Sequence, residues 1–115
     1  MNTMKHPMKE FAEVDENTEI AGLFDADEGQ RFDAVISRVE GRHPAEGGMI
    51  FNERTQRGYY VINGQGKIHV DNETCEVEVS DFVFVPRETA HAVEGELRLL
   101  VVTSPPFDPE DEEVR

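Results

Sequence analysis

The residues best placed to do chemistry stand at the end of one stretch, Ser80-Asp81-Phe82-Val83-Phe84-Val85-Pro86-Arg87-Glu88-Thr89-Ala90-His91. Four apolar residues make a strand, Pro86 ends it because proline has no N–H for a sheet ladder, and a short turn then delivers one histidine. An imidazole presented in this way to a barrel interior can ligate a metal, move a proton near neutral pH or hold a hydrogen bond. The other histidines are placed less well. His43 falls in the Pro/Gly loop Gly41 to Gly48, His6 lies in a polar segment, and His69 should face outward because Ile68 and Val70 beside it are the apolar pair. Cys75 alternates with Val77 and Val79, which marks a buried structural thiol rather than a nucleophile. Ser80 and Ser104 lack a Gly-x-Ser-x-Gly setting, and no glycine-rich turn links a strand to a helix, so nucleophile elbows and phosphate loops are not indicated.

The elements that must position His91 are strands. Phe32, Ala34 and Ile36 alternate with Asp33, Val35 and Ser37, a two-residue period that suits a strand covered on both sides. Further strands are expected at Met49 to Glu53, Tyr59 to Ile62, Lys67 to Val70, Thr74 to Val79, Phe82 to Val85, Ala90 to Val93 and Leu97 to Thr103. Asn63-Gly64 reads as a tight hairpin turn, since both residues accept positive φ. Of Tyr59 and Tyr60, one should enter the core and the other face a second sheet or a subunit. Turns every eight to twelve residues, with no competing helical window, indicate a sandwich or barrel. Upstream, Thr18 to Phe24 reads as an edge strand, Asp25 to Gln30 as a loop, and the first ten residues as mobile. Downstream, Pro105, Pro106 and Pro109 followed by Glu110 to Glu113 read as an exposed extension unable to continue a sheet.

Length and charge bound the function classes. The chain of 115 residues makes one domain, and 25 acidic against 11 basic residues give a net charge of −14. That charge repels a phosphate backbone and an anionic membrane surface, which argues against nucleic-acid and membrane partners. It keeps the surface soluble, and a salt-adapted host is a second way to read it. One cysteine excludes an internal disulfide, Lys5 and Lys9 have no apolar run behind them, and no segment approaches a membrane span, so a cytoplasmic protein is expected.

With strand order and punctuation in place, residues from about Phe32 to Pro109 resemble a small single-domain cupin, an RmlC-like jelly roll. The second cupin signature, G-x5-P-x-G-x2-H-x3-N, meets Ser80, Pro86, Glu88, His91 and Gly95 here, so its proline and histidine are kept. The first, G-x5-H-x-H-x3,4-E-x6-G, anchors on Gly64 and puts Arg57 at the glutamate and Asn52 and Ile50 at the two histidines. The resemblance implies an all-β, cupin-type double-stranded β-helix, a jelly-roll barrel at 31–109. An N-terminal extension at 1–30 and an acidic tail at 110–115 flank it. It also implies a homodimer in which Phe11 to Phe24 reaches the partner.

A cupin metal site needs imidazoles and a carboxylate, and this motif retains one imidazole, so no metal and no other cofactor is expected. Glu53 cannot replace Asn52, because successive strand side chains point to opposite faces. What the resemblance leaves in the barrel is Asn52, Arg57, Tyr59 and His91. Arg57 would anchor an anion through its planar fork, with the other three orienting a small anionic or sugar-like ligand. Two other readings compete: a metal-dependent isomerase or dioxygenase with atypical ligands around His91 and Glu53, and a non-catalytic dimerisation or sensing module. In the bland structural case Arg57 is neutralised by Glu53 or another acid, and an ion pair fills the old metal cavity.

Overall fold

The computed structural model describes residues 5–25 and 30–115. Its elements are β1 (Ala12–Asp15), β2 (Thr18–Gly22), β3 (Asp33–His43), β4 (Ile50–Asn52), β5 (Gln56–Val70), β6 (Glu73–Glu78), β7 (Phe82–Val85), β8 (His91–Ser104), a short 3-10 turn (Pro109–Asp111) and β9 (Glu112–Val114). All strand pairings are antiparallel, and β8 is the spine. β3 pairs with it from Asp33↔Thr103 to His43↔Val93, and β5 pairs with it from Gln56↔Ser104 to Val70↔His91. β5 also carries β7 (Arg57↔Val85) and β6 (Gln65↔Glu78), while β1 and β2 extend the sheet beyond β3. The sheet curls into a jelly-roll barrel.

The period of two decides what the barrel holds. On β8, Leu97, Leu99, Val101 and Thr103 are buried, and they face Val39 and Ser37 of β3 and Val61, Tyr59 and Arg57 of β5. Ile68, Val77 and Val93 close the same core from the other end of the long strands, and Val85 of β7 joins it beside Arg57. Arg57 and Tyr59 therefore point inward because they share a face with Val61. Tyr59 is thus the one that enters the core, and Tyr60 takes the other face, exposed and with no second sheet over it among the described residues.

Local turn chemistry is overridden in two places. Asn63-Gly64 forms no hairpin; β5 runs straight through it with a bulge between Val61 and Asn63, and Gly64 sits at φ +89°. The two strands expected at Ala90 to Val93 and Leu97 to Thr103 are one, β8, continuous across Gly95 at φ +130°. Both departures have one cause. β5 and β8 come so close that a Cβ on Gly64 would run into the Glu96 carbonyl, and one on Gly95 into the Gln65 carbonyl and Gly66. The glycines here serve a close strand contact, not a chain reversal.

Both ends of the chain carry more regular structure than expected. β2 is no edge strand, since β1 pairs on its outer side while β2 itself pairs with the chain's own β3. Lys9 N–H donates to the Gly22 carbonyl, whereas residues 1–4 and most of the expected loop after Asp25 lie outside the described residues. The tail does continue a sheet: β9 pairs with β4 from Ile50↔Val114 to Asn52↔Glu112. Three prolines before Glu110 end one strand, but they do not prevent the chain from returning as another. β6 stops at Glu78, so Val79 is exposed rather than aligned with Cys75 and Val77.

Gly64→Ala tests the close contact. Positive φ alone costs about 1–3 kcal/mol, and the overlap with Glu96 adds to it, so the variant should lose more stability in urea unfolding than Gly47→Ala. Gly47 shares the positive φ (+94°) but has nothing within 4 Å of the added carbon. Equal losses for the two would show that conformation, not contact, fixes Gly64.

Candidate functional site

Arg57, the second residue of β5 and the first on its inward face, is buried at 8% exposure beside Thr103 of β8. Its Nη2 donates to Asn52 Oδ1 at 2.9 Å and to Glu112 Oε1 at 3.3 Å. Asn52 comes from β4 and Glu112 from β9, which are register partners, so the pairing of the tail with β4 is what brings an acid to the guanidinium. Two residues further along β5, the Tyr59 hydroxyl meets His91 Nε2 at 2.9 Å, with ring centroids 5.7 Å apart. The four residues singled out by the family signature thus form two bonded pairs, Asn52 with Arg57 and His91 with Tyr59.

The charges of this group are settled by burial and by one another. Burial works against the Arg57 cation, but Tyr59 and Glu112 outweigh it, and the guanidinium is held charged with its pKa raised. Burial raises the Tyr59 pKa and Arg57 opposes it without reversing it, so the phenol keeps its proton. Burial drives the His91 pKa down to about 3, and the nearby Arg57 and His43 push the same way. Backbone groups of Thr89 and Ile50 favour the imidazolium, yet neither forms a hydrogen bond with Nδ1, which is buried without a partner among the described residues. His91 is therefore neutral at physiological pH. Its surroundings do not allow the titration near neutrality open to a free imidazole, because the ring is enclosed next to a permanent cation.

A cavity of about 160 Å³ opens beside these pairs. Arg57 and Tyr59 line it, together with Glu112, His43, Thr18 and Thr103, over an apolar floor of valines and Leu99. Asn52 and His91 do not line it; they stand behind Arg57 and Tyr59 and hold them. Val14 and Phe107, both about half exposed, form its rim. The Thr18 hydroxyl reaches this wall buried and without a partner. A wider depression of about 600 Å³ on the outer surface, lined by Gln65, Lys67, Glu76, Glu78 and Asp81, is open to solvent and holds none of these groups.

Several residues of the site were not legible in the sequence. His43 lies on β3, not in the loop after it, because the strand continues past Gly41, which takes φ +115°. Its Nδ1 stands 2.6 Å from Asp15 Oδ2, and Asp15 also accepts from Asn17 N–H at 2.9 Å and Ala45 N–H at 3.1 Å. Burial raises the Asp15 pKa, but the bonds from His43, Asn17 and Ala45 more than reverse this and lower it. The sequence signal was slight: an Asp two residues before Asn at a turn, and a His before Pro. Glu112 gave none. His69 does face outward, between Thr74 and Glu94, and Glu53 is exposed, as strand alternation required.

The positions that would supply the family's metal ligands hold Ile50, Asn52 and Arg57, the retained imidazole has its Nε2 engaged by Tyr59, and a fixed cation stands beside it. Among the described residues no three His, Cys, Asp or Glu side chains converge. The residues present do not fit a transition metal at this place.

The tail is anchored by Asp111, whose side chain is 3% exposed. It accepts from Arg54 N–H at 3.1 and 3.2 Å and from Thr55 N–H at 3.0 Å. Burial raises its pKa, and these bonds together with the Arg54 side chain outweigh that and lower it. A lowered folded pKa gives stability that is present in full above the unfolded value near 3.9 and is lost as pH falls through the folded value. Asp111→Ala should therefore cost about 1–3 kcal/mol at pH 7 by leaving two amides unpaired. In thermal or urea unfolding the gap to the wild type should narrow as pH falls below about 4, and a gap independent of pH would contradict this account.

Comparison with known proteins agrees with the architecture. A family model described as the cupin domain matches residues 41–103. Over 60 residues the chain is 35% identical to the uncharacterized protein MJ1618 of Methanocaldococcus jannaschii, covering 49% of this chain and 48% of that one. The chain thus spans about half the length of the curated relative it matches. Among solved structures, a variant of Streptomyces PAC13 with uridine superposes with a TM-score of 0.85 at 22% identity, covering 99% of this chain and 92% of that one. Pac13 is described as a unique nucleoside dehydratase. KdgF from Halomonas sp. follows with a TM-score of 0.72 at 18% identity, covering 88% and 90%. Ectoine synthase from P. lautus gives 0.69 at 17%, covering 88% and 78%. At such identities the likeness establishes the fold.

Proposed function

The chain belongs to the cupin-domain family, and on that premise we propose that its cavity binds a small, neutral, hydroxylated molecule through polar side chains and without a metal. The observation that carries this reading is the Arg57–Glu112 pair in the cavity wall, with 9% and 29% of the two side chains exposed. The Glu112 carboxylate already balances the guanidinium charge, so the pair adds no net attraction for an acid, while both bonds use Nη2 and leave the other N–H groups to donate to a ligand oxygen. Asp33 and Glu112 both line the cavity against the single cation Arg57, so its charge balance repels acids. The anion-anchor role expected for Arg57 gives way to the sugar-like half of that expectation.

Hydroxyl groups fit what remains. Glu112 and Asp33 accept hydrogen bonds, Arg57 and Tyr59 donate them, and the buried Thr18 hydroxyl has a bond still to make. A cavity of about 160 Å³ is small beside the roughly 300–1,000 Å³ of sites for drug-sized ligands. It suits a compound of a few carbons, or the sugar end of a larger molecule whose remainder passes Phe107 and Val14. The uridine in the related PAC13 structures carries such a sugar, which supports the class without fixing the ligand.

Ligand-observed NMR with D-ribose, dihydroxyacetone and D-glycerate tests the reading. The wild type should bind the neutral compounds in preference to glycerate. Glu112→Gln, which leaves Arg57 without its anion, should shift that preference toward glycerate by about tenfold, the equivalent of 1.4 kcal/mol for one charge-assisted contact. A wild type that prefers glycerate, or a variant with unchanged preference, would sink the charge-compensation argument.

A further inference from the structure

His43 lines the cavity with Asp15 bonded to its Nδ1 from outside the lining, and ligand binding alone does not require this pair. Resting on the binding reading above, we infer that the cavity is an acid–base site that moves a proton on a carbon next to a carbonyl, in a small hydroxylated aldehyde or ketone. The geometry comes first. Asp15 is fixed by three donors, the Asn17 and Ala45 amides and His43 Nδ1, and the two side chains are about one-fifth exposed. A carboxylate on Nδ1 holds the ring and keeps the proton on that nitrogen, which leaves Nε2 with a free lone pair for an occupant of the cavity.

The same cavity offers the complement of a base. The Tyr59 O–H and the Arg57 N–H groups line it, and donors of this kind stabilise negative charge developing on a carbonyl oxygen. Burial keeps the Tyr59 proton in place, and neutral His91 behind it fixes the hydroxyl. No cysteine or lysine is among the described lining residues, so a thioester or a Schiff base has no group to form it. Base and oxyanion donors without a nucleophile define enolisation.

The step balances within the site. His43 Nε2 takes the proton from the carbon next to the carbonyl, the C–H electron pair becomes the C=C bond, and the carbonyl oxygen takes the charge beside Tyr59 and Arg57. The imidazolium then returns the proton to the carbon it left, restoring the substrate, or, once the hydroxyl proton on that carbon has passed to the enolate oxygen, to the former carbonyl carbon, giving the isomer. No electrons enter or leave, and no co-reactant is consumed.

The test uses dihydroxyacetone in D2O, with NMR following both its binding and the loss of its C–H signal. The wild type should speed exchange over buffer, and His43→Gln should lower that enhancement about 100-fold or more while dihydroxyacetone still binds. Asp15 acts through His43 as a positioning residue, so Asp15→Asn should lower exchange and Asp15→Glu should restore part of it. Tyr59→Phe, which leaves the His43–Asp15 pair intact, should lower exchange as well and serves if His43→Gln fails to fold. Binding without exchange in the wild type, or exchange that survives in His43→Gln or in Tyr59→Phe, overturns the inference and leaves the binding reading standing. Failure of dihydroxyacetone to bind sinks the inference, while ribose binding decides separately whether the binding reading survives.

Discussion

A guanidinium set into a barrel wall needs an anion and hydrogen-bond acceptors, because an unpaired buried charge costs several kcal/mol. Arg57 imposes that need here, and much of the site follows from it. Asn52 supplies an amide oxygen from β4, Glu112 supplies the carboxylate, and Glu112 reaches the site because β9 pairs with β4. Asp111, next to Glu112, ties the returning chain to the Arg54 and Thr55 amides. The same cation helps keep His91 neutral, so that the ring bonds to the Tyr59 hydroxyl as an uncharged partner. A position that the family uses for an anionic ligand therefore carries the opposite charge, and the surroundings are arranged to match.

The strands that read clearly from sequence are those whose burial pattern is local. β7 was expected at Phe82 to Val85 and spans those residues, and β6 was found within a residue at either end, since alternation or continuous apolarity identifies a strand without its neighbours. The readings that missed depended on distant partners. Asn63-Gly64 has turn chemistry, but β8 pairs across it, and tertiary pairing outweighs a dipeptide preference. Gly41 looked like a break and is a point where β3 carries on to place His43. The tail after Ser104 is rich in proline and acid, and nothing within it shows that β4 has an edge free to receive it.

Site legibility divides along the same line. The family signature located Asn52, Arg57, Tyr59 and His91, and the fold brings all four together, yet only two of them face the cavity. Glu112 and Asp15 escaped because carboxylates are common in this acidic chain, with 25 of them in 115 residues, and His43 because Gly41 looked like a break. Composition gives no means of telling the few that enter the barrel from the many that keep the surface solvated. Burial tells them apart: Asp111 is 3% exposed, while Asp25 is 68% exposed.

The cavity wall is assembled from β1, β2, β3, β5, β8 and β9, so groups from nearly opposite ends of the chain must meet before it exists. Closing so long a loop is entropically slow, and non-local strand pairing of this kind lengthens folding times. The core around Leu99 and Val61 is built on β5–β8 pairing, whereas the wall beside Arg57 also needs β9. The binding wall thus rests on one more non-local pairing than the barrel core does, and β9 serves as its keystone.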